Sequence, residues 1–159
     1  MADYSIETCQ PDDWATWQTL TREVEPLFGP MADQPEFAAA WQAAVAAQQV
    51  LCAHEAPSTS VSPLLGGIIF SPKENEIAWL AVSARSRGKG LGANLLAQAL
   101  QCLDPARKVR VQTFTDSVPA GQPARRLYQR FGFNDEKPAG NNPAGYATVI
   151  MIRSPQDRD

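Results

Sequence analysis

The sequence predicts an α/β fold built around one core, and three observations lead there. Strand-type and helix-type patterns alternate along the chain, without an internal repeat or a composition shift that would mark a domain boundary. At the centre, Ile77, Trp79, Leu80, Ala81 and Val82 form a short run of strand-formers. A glycine-rich turn, Arg87-Gly88-Lys89-Gly90-Leu91-Gly92, leads from it to Leu91, Leu95, Leu96, Ala99 and Leu103 at helical spacing. The length of 159 residues and a hydrophobic content of 44% suffice for one buried core. One domain is expected over residues 1–153, with a solvated tail over 154–159.

In order, residues 4–9 alternate adequately for a first strand. Pro11-Asp12-Asp13 is a helix-start signal, with Asp12 as cap and Trp14, Trp17, Leu20 and Val24 on the following face. This helix is expected to end near Pro26, since residues 26–35 hold three prolines and a glycine. Residues 36–49 read as an alanine-rich second helix with Phe37, Trp41 and Val45 on its inner stripe. Strands are expected at 50–54 and 64–71, joined by a polar connection over 56–63, and a turn at 72–75 leads into the central stretch. A strand follows at 108–113, then a loop at 116–123 and a short helix over 124–133. Residues 134–145, rich in Pro, Gly and Asn, read as a long loop before a last strand at 147–152.

Several function classes are excluded on composition. Net charge is −3, and the basic residues cluster only around 85–89 and 125–130, which argues against a nucleic-acid face. No apolar stretch reaches the ~20 residues that span a bilayer, and Met1-Ala2-Asp3 lacks the basic and apolar regions of a secretion signal. Cys9, Cys52 and Cys102 are odd in number and show no ligand-like spacing. They are read as reduced core or near-core residues of a cytoplasmic protein. His54 is the single histidine and offers no cluster for a metal or a serine triad, so no metal is expected.

The glycine turn is the richest signal. A helix start leaves backbone N–H groups without partners, and the helix dipole favours an anion there. Glycines at 88, 90 and 92 permit backbone angles closed to other residues and let a ligand approach closely, while Arg85, Arg87 and Lys89 add positive charge. Together these describe a phosphate or pyrophosphate cradle. The spacing fits neither a Walker loop, which needs Lys-Ser/Thr after the last glycine, nor a Gly-x-Gly-x-x-Gly dinucleotide fingerprint.

The turn resembles the Gln/Arg-x-x-Gly-x-Gly/Ala signature of the GCN5-related N-acetyltransferase (GNAT) family, with Arg87, Gly90 and Gly92 in the three fixed places. Residues 124–133, ARRLYQRFGF, are similar to the family's Ala-x-x-Leu-Tyr-x-x-x-Gly-Phe at Ala124, Leu127, Tyr128, Gly132 and Phe133. The resemblance is strong over about residues 76–133 and elsewhere rests on the order of elements. It implies a mixed central sheet with helices on both faces and two splayed strands forming an acetyl-CoA cleft. It also implies an N-acetyltransferase moving an acetyl group to a primary amine by direct attack in a ternary complex. A non-catalytic acyl-CoA-binding domain is the alternative.

The same resemblance implies roles for individual residues. Backbone groups of Leu80, Ala81 and Val82 would pair with the pantetheine amides. N–H groups of Arg87, Gly88, Lys89, Gly90, Leu91 and Gly92 would hold the pyrophosphate. Tyr128 would protonate the departing thiolate, since an ordinary phenol with pKa ~10 is protonated at pH 7. A neutral amine is needed for attack, and Glu76 is a candidate base, with Glu25 and Glu23 as rivals on the wall of the acceptor pocket. Leu27, Phe28 and Met31 lie in the loop after the first helix, and with Trp79 and Phe114 from the strands flanking the cofactor gap they are expected to make an apolar pocket. Many members carry an asparagine three residues before the alanine of the second signature; here it is Gly121, which puts that contact in doubt. A small polyamine, an amino acid, an antibiotic or a protein N-terminus all stay open as acceptor, the glutamates tilting the choice toward a cationic small molecule. Family members are often dimers, so a homodimer is also open.

Overall fold

A computed structural model describes residues 4–55 and 63–156 of the chain. The elements are β1 (Tyr4–Thr8), α1 (Trp14–Phe28), α2 (Pro35–Ala46), β2 (Val50–Glu55), β3 (Leu64–Ser71), β4 (Glu76–Val82), α3 (Leu91–Gln101), β5 (Val109–Phe114), α4 (Gln122–Arg130), β6 (Phe133–Asn141) and β7 (Ala147–Arg153). The seven strands form one mixed sheet in the order β1-β2-β3-β4-β5-β7-β6. Every pairing is antiparallel except β4 with β5, which α3 connects.

Side chains that alternate along the strands divide between two apolar layers. Leu51, Ala53 and Ile68 face one layer, closed by Leu91, Leu95, Leu96 and Ala99 of α3 and by Leu127 and Tyr128 of α4. Val50, Cys52 and Leu64 face the other, closed by Trp17 and Leu20 of α1 and by Trp41 and Val45 of α2. Helices thus cover both faces, as the resemblance implies. At Gly67 a Cβ would come within 2.3 Å of the Trp17 ring, so α1 lies directly on the backbone of β3.

The parallel pair determines the shape of the cleft. β4 and β5 are in register only at Glu76 with Arg110 and Ile77 with Val111. Beyond Ile77 they diverge, leaving one edge of β4 unpaired while its other edge stays bound to β3.

Four expectations need correction. The first helix runs through Pro26 to Phe28, because losing one interior N–H does not end a helix whose last turn is closed by the Gly29 N–H donating to Glu25 O at 2.8 Å. The second helix stops at Ala46, and Gln48 at φ 60° turns the chain into β2. Residues 134–141, read as the start of a loop, form with Phe133 an edge strand on β7 with two register shifts, and the helix expected over 124–133 ends at Arg130. Apart from Phe133 its residues are exposed or half-exposed, so it lacks the apolar alternation by which strands are recognised.

The fourth concerns Cys9 and Cys52, expected to be reduced, which are joined in a disulfide 43 residues apart in sequence. Cys9 continues β1 opposite Val50, its N–H donating to Val50 O, which puts it diagonally across the strand pair from Cys52 with Cα atoms 5.3 Å apart, within bonding range. Asp13 lies against both, its carboxylate 3.2 Å from His54 Nε2, and all four side chains are buried. With the sulfurs bonded to each other, neither offers a thiolate to a metal. Cys102 is free and exposed. The connection expected over 56–63 falls, except for its last residue, outside the described residues, as do residues 157–159. Among the described residues no helix is long and apolar enough to cross a membrane.

Candidate active site

The glycine turn lies where β4 leaves the sheet. Ser83 N donates to Leu65 O at 2.8 Å, and by ladder alternation Ala81 also faces β3 while the N–H and C=O of Leu80 and Val82 turn toward the gap. Of the three residues expected to present backbone groups, Leu80 and Val82 therefore do so and Ala81 does not. Arg87 Nε reaches Val82 O at 3.3 Å. A 3-10 turn over Ala84–Ser86 then carries the chain to the cradle. Its start is held by Glu23 of α1, which accepts from Ala84 N at 2.7 Å and from Ser83 Oγ at 3.0 Å.

Gly88 and Gly90 adopt φ 76° and 80°, the left-handed region, and a Cβ at either would point into open space. They are glycine for conformation and leave the backbone approachable. Gly90 caps α3 without any side-chain hydrogen bond, so the first-turn N–H groups face outward. Gly92 has a different reason: a Cβ there would lie 3.2 Å from Leu127 of α4, so it allows the two helices to approach. Arg85, Arg87 and Lys89 are all exposed around this rim. The arrangement fits an anionic phosphate ligand at a helix start, with an open strand edge leading away from it.

Where β4 and β5 diverge, a cavity of about 240 Å³ opens. Its lining includes Ile77, Trp79 and Leu80 from β4, Val111 to Phe114 from β5 and Tyr128 from α4. Phe28 and Met31 enter from the end of α1 and the loop after it, Asn142 and Thr148 from the β6–β7 hairpin. Tyr128 is buried, its ring edge-on to Phe133 at 5.6 Å, and its hydroxyl makes no hydrogen bond to a described residue. Burial raises its pKa above that of an ordinary phenol, because desolvation penalises the phenolate. The group is a neutral O–H donor throughout the physiological range.

The expected glutamates are employed elsewhere. Glu76 stands at the closed end of the gap, where β4 and β5 still pair, and accepts from Arg110 Nη1 at 3.0 Å. Glu25 Oε2 accepts from Met31 N at 2.7 Å and Ala32 N at 3.1 Å, which shapes the loop that delivers Met31. None of Glu23, Glu25 and Glu76 lines the cavity.

Phe28, Trp79 and Phe114 do come together. Phe28 stacks on Phe114 at 5.9 Å and meets Trp79 edge-on at 6.1 Å, while Tyr146 lies edge-on to Phe114 at 6.0 Å. Gly121, the position at which the resemblance led an asparagine to be expected, is what admits Phe114: a Cβ at 121 would lie 2.4 Å from Phe114 Cβ. Arg125, buried in α4, fixes the same strand end by donating to Phe114 O at 3.2 Å and to both oxygens of Asp135.

Sequence reasoning missed the contribution of the β6–β7 hairpin. Asn142 donates from Nδ2 to Leu27 O at 2.8 Å and accepts at Oδ1 from Ala144 N and Tyr146 N, so the hairpin turn is docked onto the end of α1. Thr148 accepts from Gln112 Nε2 at 3.0 Å. The signal was present in Asn142-Pro143-Ala144-Gly145, a turn sequence that reads as the head of a hairpin once its flanks are taken as strands.

Comparison with known proteins agrees with this geometry. A family model described as an acetyltransferase (GNAT) domain matches residues 46–135, more than half of the chain, and the chain belongs to that family. Three solved structures illustrate the likeness of fold. The NatC complex bound to Gag peptide and CoA contains a chain 16% identical with a TM-score of 0.73, the match covering 98% of this chain and 100% of that one. Arabidopsis thaliana Naa50 with the bisubstrate analogue CoA-Ac-MVNAL is 19% identical with a TM-score of 0.70, over 96% and 99%. The ribosomal-protein-S18-alanine N-acetyltransferase of Escherichia coli is 14% identical with a TM-score of 0.70, over 98% and 96%. No curated protein matches the chain in sequence.

Proposed function

We propose that the chain is an acetyl-CoA-dependent N-acetyltransferase acting on a primary amine by direct attack in a ternary complex. One observation carries this: the unpaired edge of β4 runs from the cavity under Tyr128 to the uncapped start of α3. That path would accommodate a thioester whose pantetheine amides pair with Leu80 and Val82 and whose pyrophosphate meets the N–H groups between Arg87 and Gly92. Support also comes from the NatC and Naa50 structures, which hold CoA or a CoA conjugate on the same fold.

In the proposed reaction the amine nitrogen attacks the thioester carbonyl, the C–N bond forms and the C–S bond breaks. The thiolate takes the Tyr128 proton, the amine releases a proton to water, and Tyr128 is reprotonated from solvent. With no carboxylate among the described residues of the cavity wall, the amine arrives as its free base in this reading, and neither Glu76 nor Glu25 is given the role of base. Acetyl-CoA as donor supports the cytoplasmic location expected from the sequence. The Cys9–Cys52 bond pulls the other way, since thiols there are kept reduced.

Thermal unfolding with and without acetyl-CoA, with ATP and NAD as controls, tests the reading. Ligand at ~100 times its dissociation constant adds about 2.7 kcal/mol, and a domain of this size gains roughly 2–4 °C per kcal/mol. A rise of about 5–11 °C with acetyl-CoA alone is expected; no rise at saturation refutes it.

A further inference from the structure

Among the described residues the acceptor side of the cavity is largely apolar and aromatic and carries no charged side chain. Phe28, Met31, Trp79 and Phe114 wall it, its polar groups are the uncharged Gln112, Thr113, Asn142 and Thr148, and Tyr128 is the only titratable residue among the described residues of the lining. The nearby acidic side chains are already engaged: Glu23 and Glu25 of α1 by backbone N–H groups, Glu76 of β4 by Arg110, and Asp135 of β6 by Arg125. The apolar wall is also built on purpose by the backbone, because Phe114 reaches its place only where residue 121 has no side chain.

We propose that the site takes a primary amine carried on an uncharged, apolar body of the size of an aromatic ring, and discriminates against polyamines and other polycations. The proposal rests on the N-acetyltransferase reading. An apolar cavity of about 150 Å³ is known to admit benzene, so 240 Å³ leaves room for a ring beside the reacting acetyl group. A second ammonium on the acceptor would be desolvated with no carboxylate among the described lining residues to meet it. A ring face offsets only part of that loss, because a ring quadrupole attracts a cation more weakly than the full charge of a carboxylate does, so the polycation is disfavoured.

The test compares 2-phenylethylamine with spermidine at equal concentration, each with saturating acetyl-CoA, following acetylated amine by mass spectrometry. Phenylethylamine is expected to be favoured by at least about tenfold in kcat/KM, the scale on which an apolar pocket discriminates. Met31→Glu, which places a carboxylate on the wall, is expected to shift that ratio toward spermidine by a similar factor. Equal or faster transfer to spermidine by the unaltered protein overturns the proposal and leaves the transferase reading standing. Transfer to neither amine while acetyl-CoA still raises the melting temperature overturns it as well. Absence of any acetyl-CoA effect on melting removes the transferase reading instead.

Discussion

Replacing Tyr128 by Phe removes one oxygen from the centre of the cleft and little else. The ring keeps its edge-on contact with Phe133, and the hydroxyl has no hydrogen bond to a described residue, so the ~1 kcal/mol net value of such a bond is not lost. Stability should therefore change by less than about 1 kcal/mol. If the phenol protonates the departing thiolate, its removal costs about 10²–10⁴ in kcat, or about 2.7–5.4 kcal/mol of barrier. The assay is steady-state acetyl transfer at saturating acetyl-CoA, with melting-temperature shifts confirming that the cosubstrate still binds. Unchanged kcat in Tyr128→Phe would refute the acid role. The pH dependence gives a second check. Burial raises the phenol's pKa, so the donor form extends upward, and transfer should show no alkaline fall from Tyr128 between pH 7 and about pH 9.5. The same shift contributes stability that is full below the ordinary phenol pKa of ~10 and declines as pH rises beyond it, where the unfolded chain ionises first.

Gly121→Ala forces a Cβ to 2.4 Å from Phe114 and should cost about 1–3 kcal/mol of stability, with a raised KM for the amine and acetyl-CoA binding retained; a neutral outcome in calorimetry would show that Phe114 gives way freely. Gly90→Ala meets no atoms but must hold φ 80°, at about 1–2 kcal/mol, and should weaken acetyl-CoA binding in titration calorimetry while leaving the packing of the core unchanged. Reducing the Cys9–Cys52 bond with dithiothreitol releases a loop closed over 43 residues and should remove roughly 2–4 kcal/mol, a fall of about 4–16 °C in melting temperature, which a scan with and without reductant reads directly. Replacing the amine by one of lower pKa should move the rise of kcat/KM with pH downward by the same amount, because no carboxylate among the described residues lines the cavity to act as base; a rise that stays put would reveal a titrating group of the protein.

The conformation of the glycine turn and the helix that carries Tyr128 were legible in the sequence because both are local. Gly88 and Gly90 are set by their own backbone angles, and an uncapped helix start follows from the order of strand, turn and helix. Most of the strands and helices were legible for the same reason, since each buries an apolar face with its own period. Edge strand β6 was not, because an edge residue buries almost nothing and is specified only by the partner it pairs with, β7. Nor were the partners of Glu23, Glu25 and Glu76: a glutamate looks the same in sequence whether it reaches a substrate or a backbone N–H sixty residues away. The Cys9–Cys52 pairing, the docking of Asn142 on Leu27 O and the exclusion that makes residue 121 a glycine depend on contacts between distant segments. Local chemistry is written residue by residue, but which charges are left free to meet a ligand is decided only when the chain closes on itself.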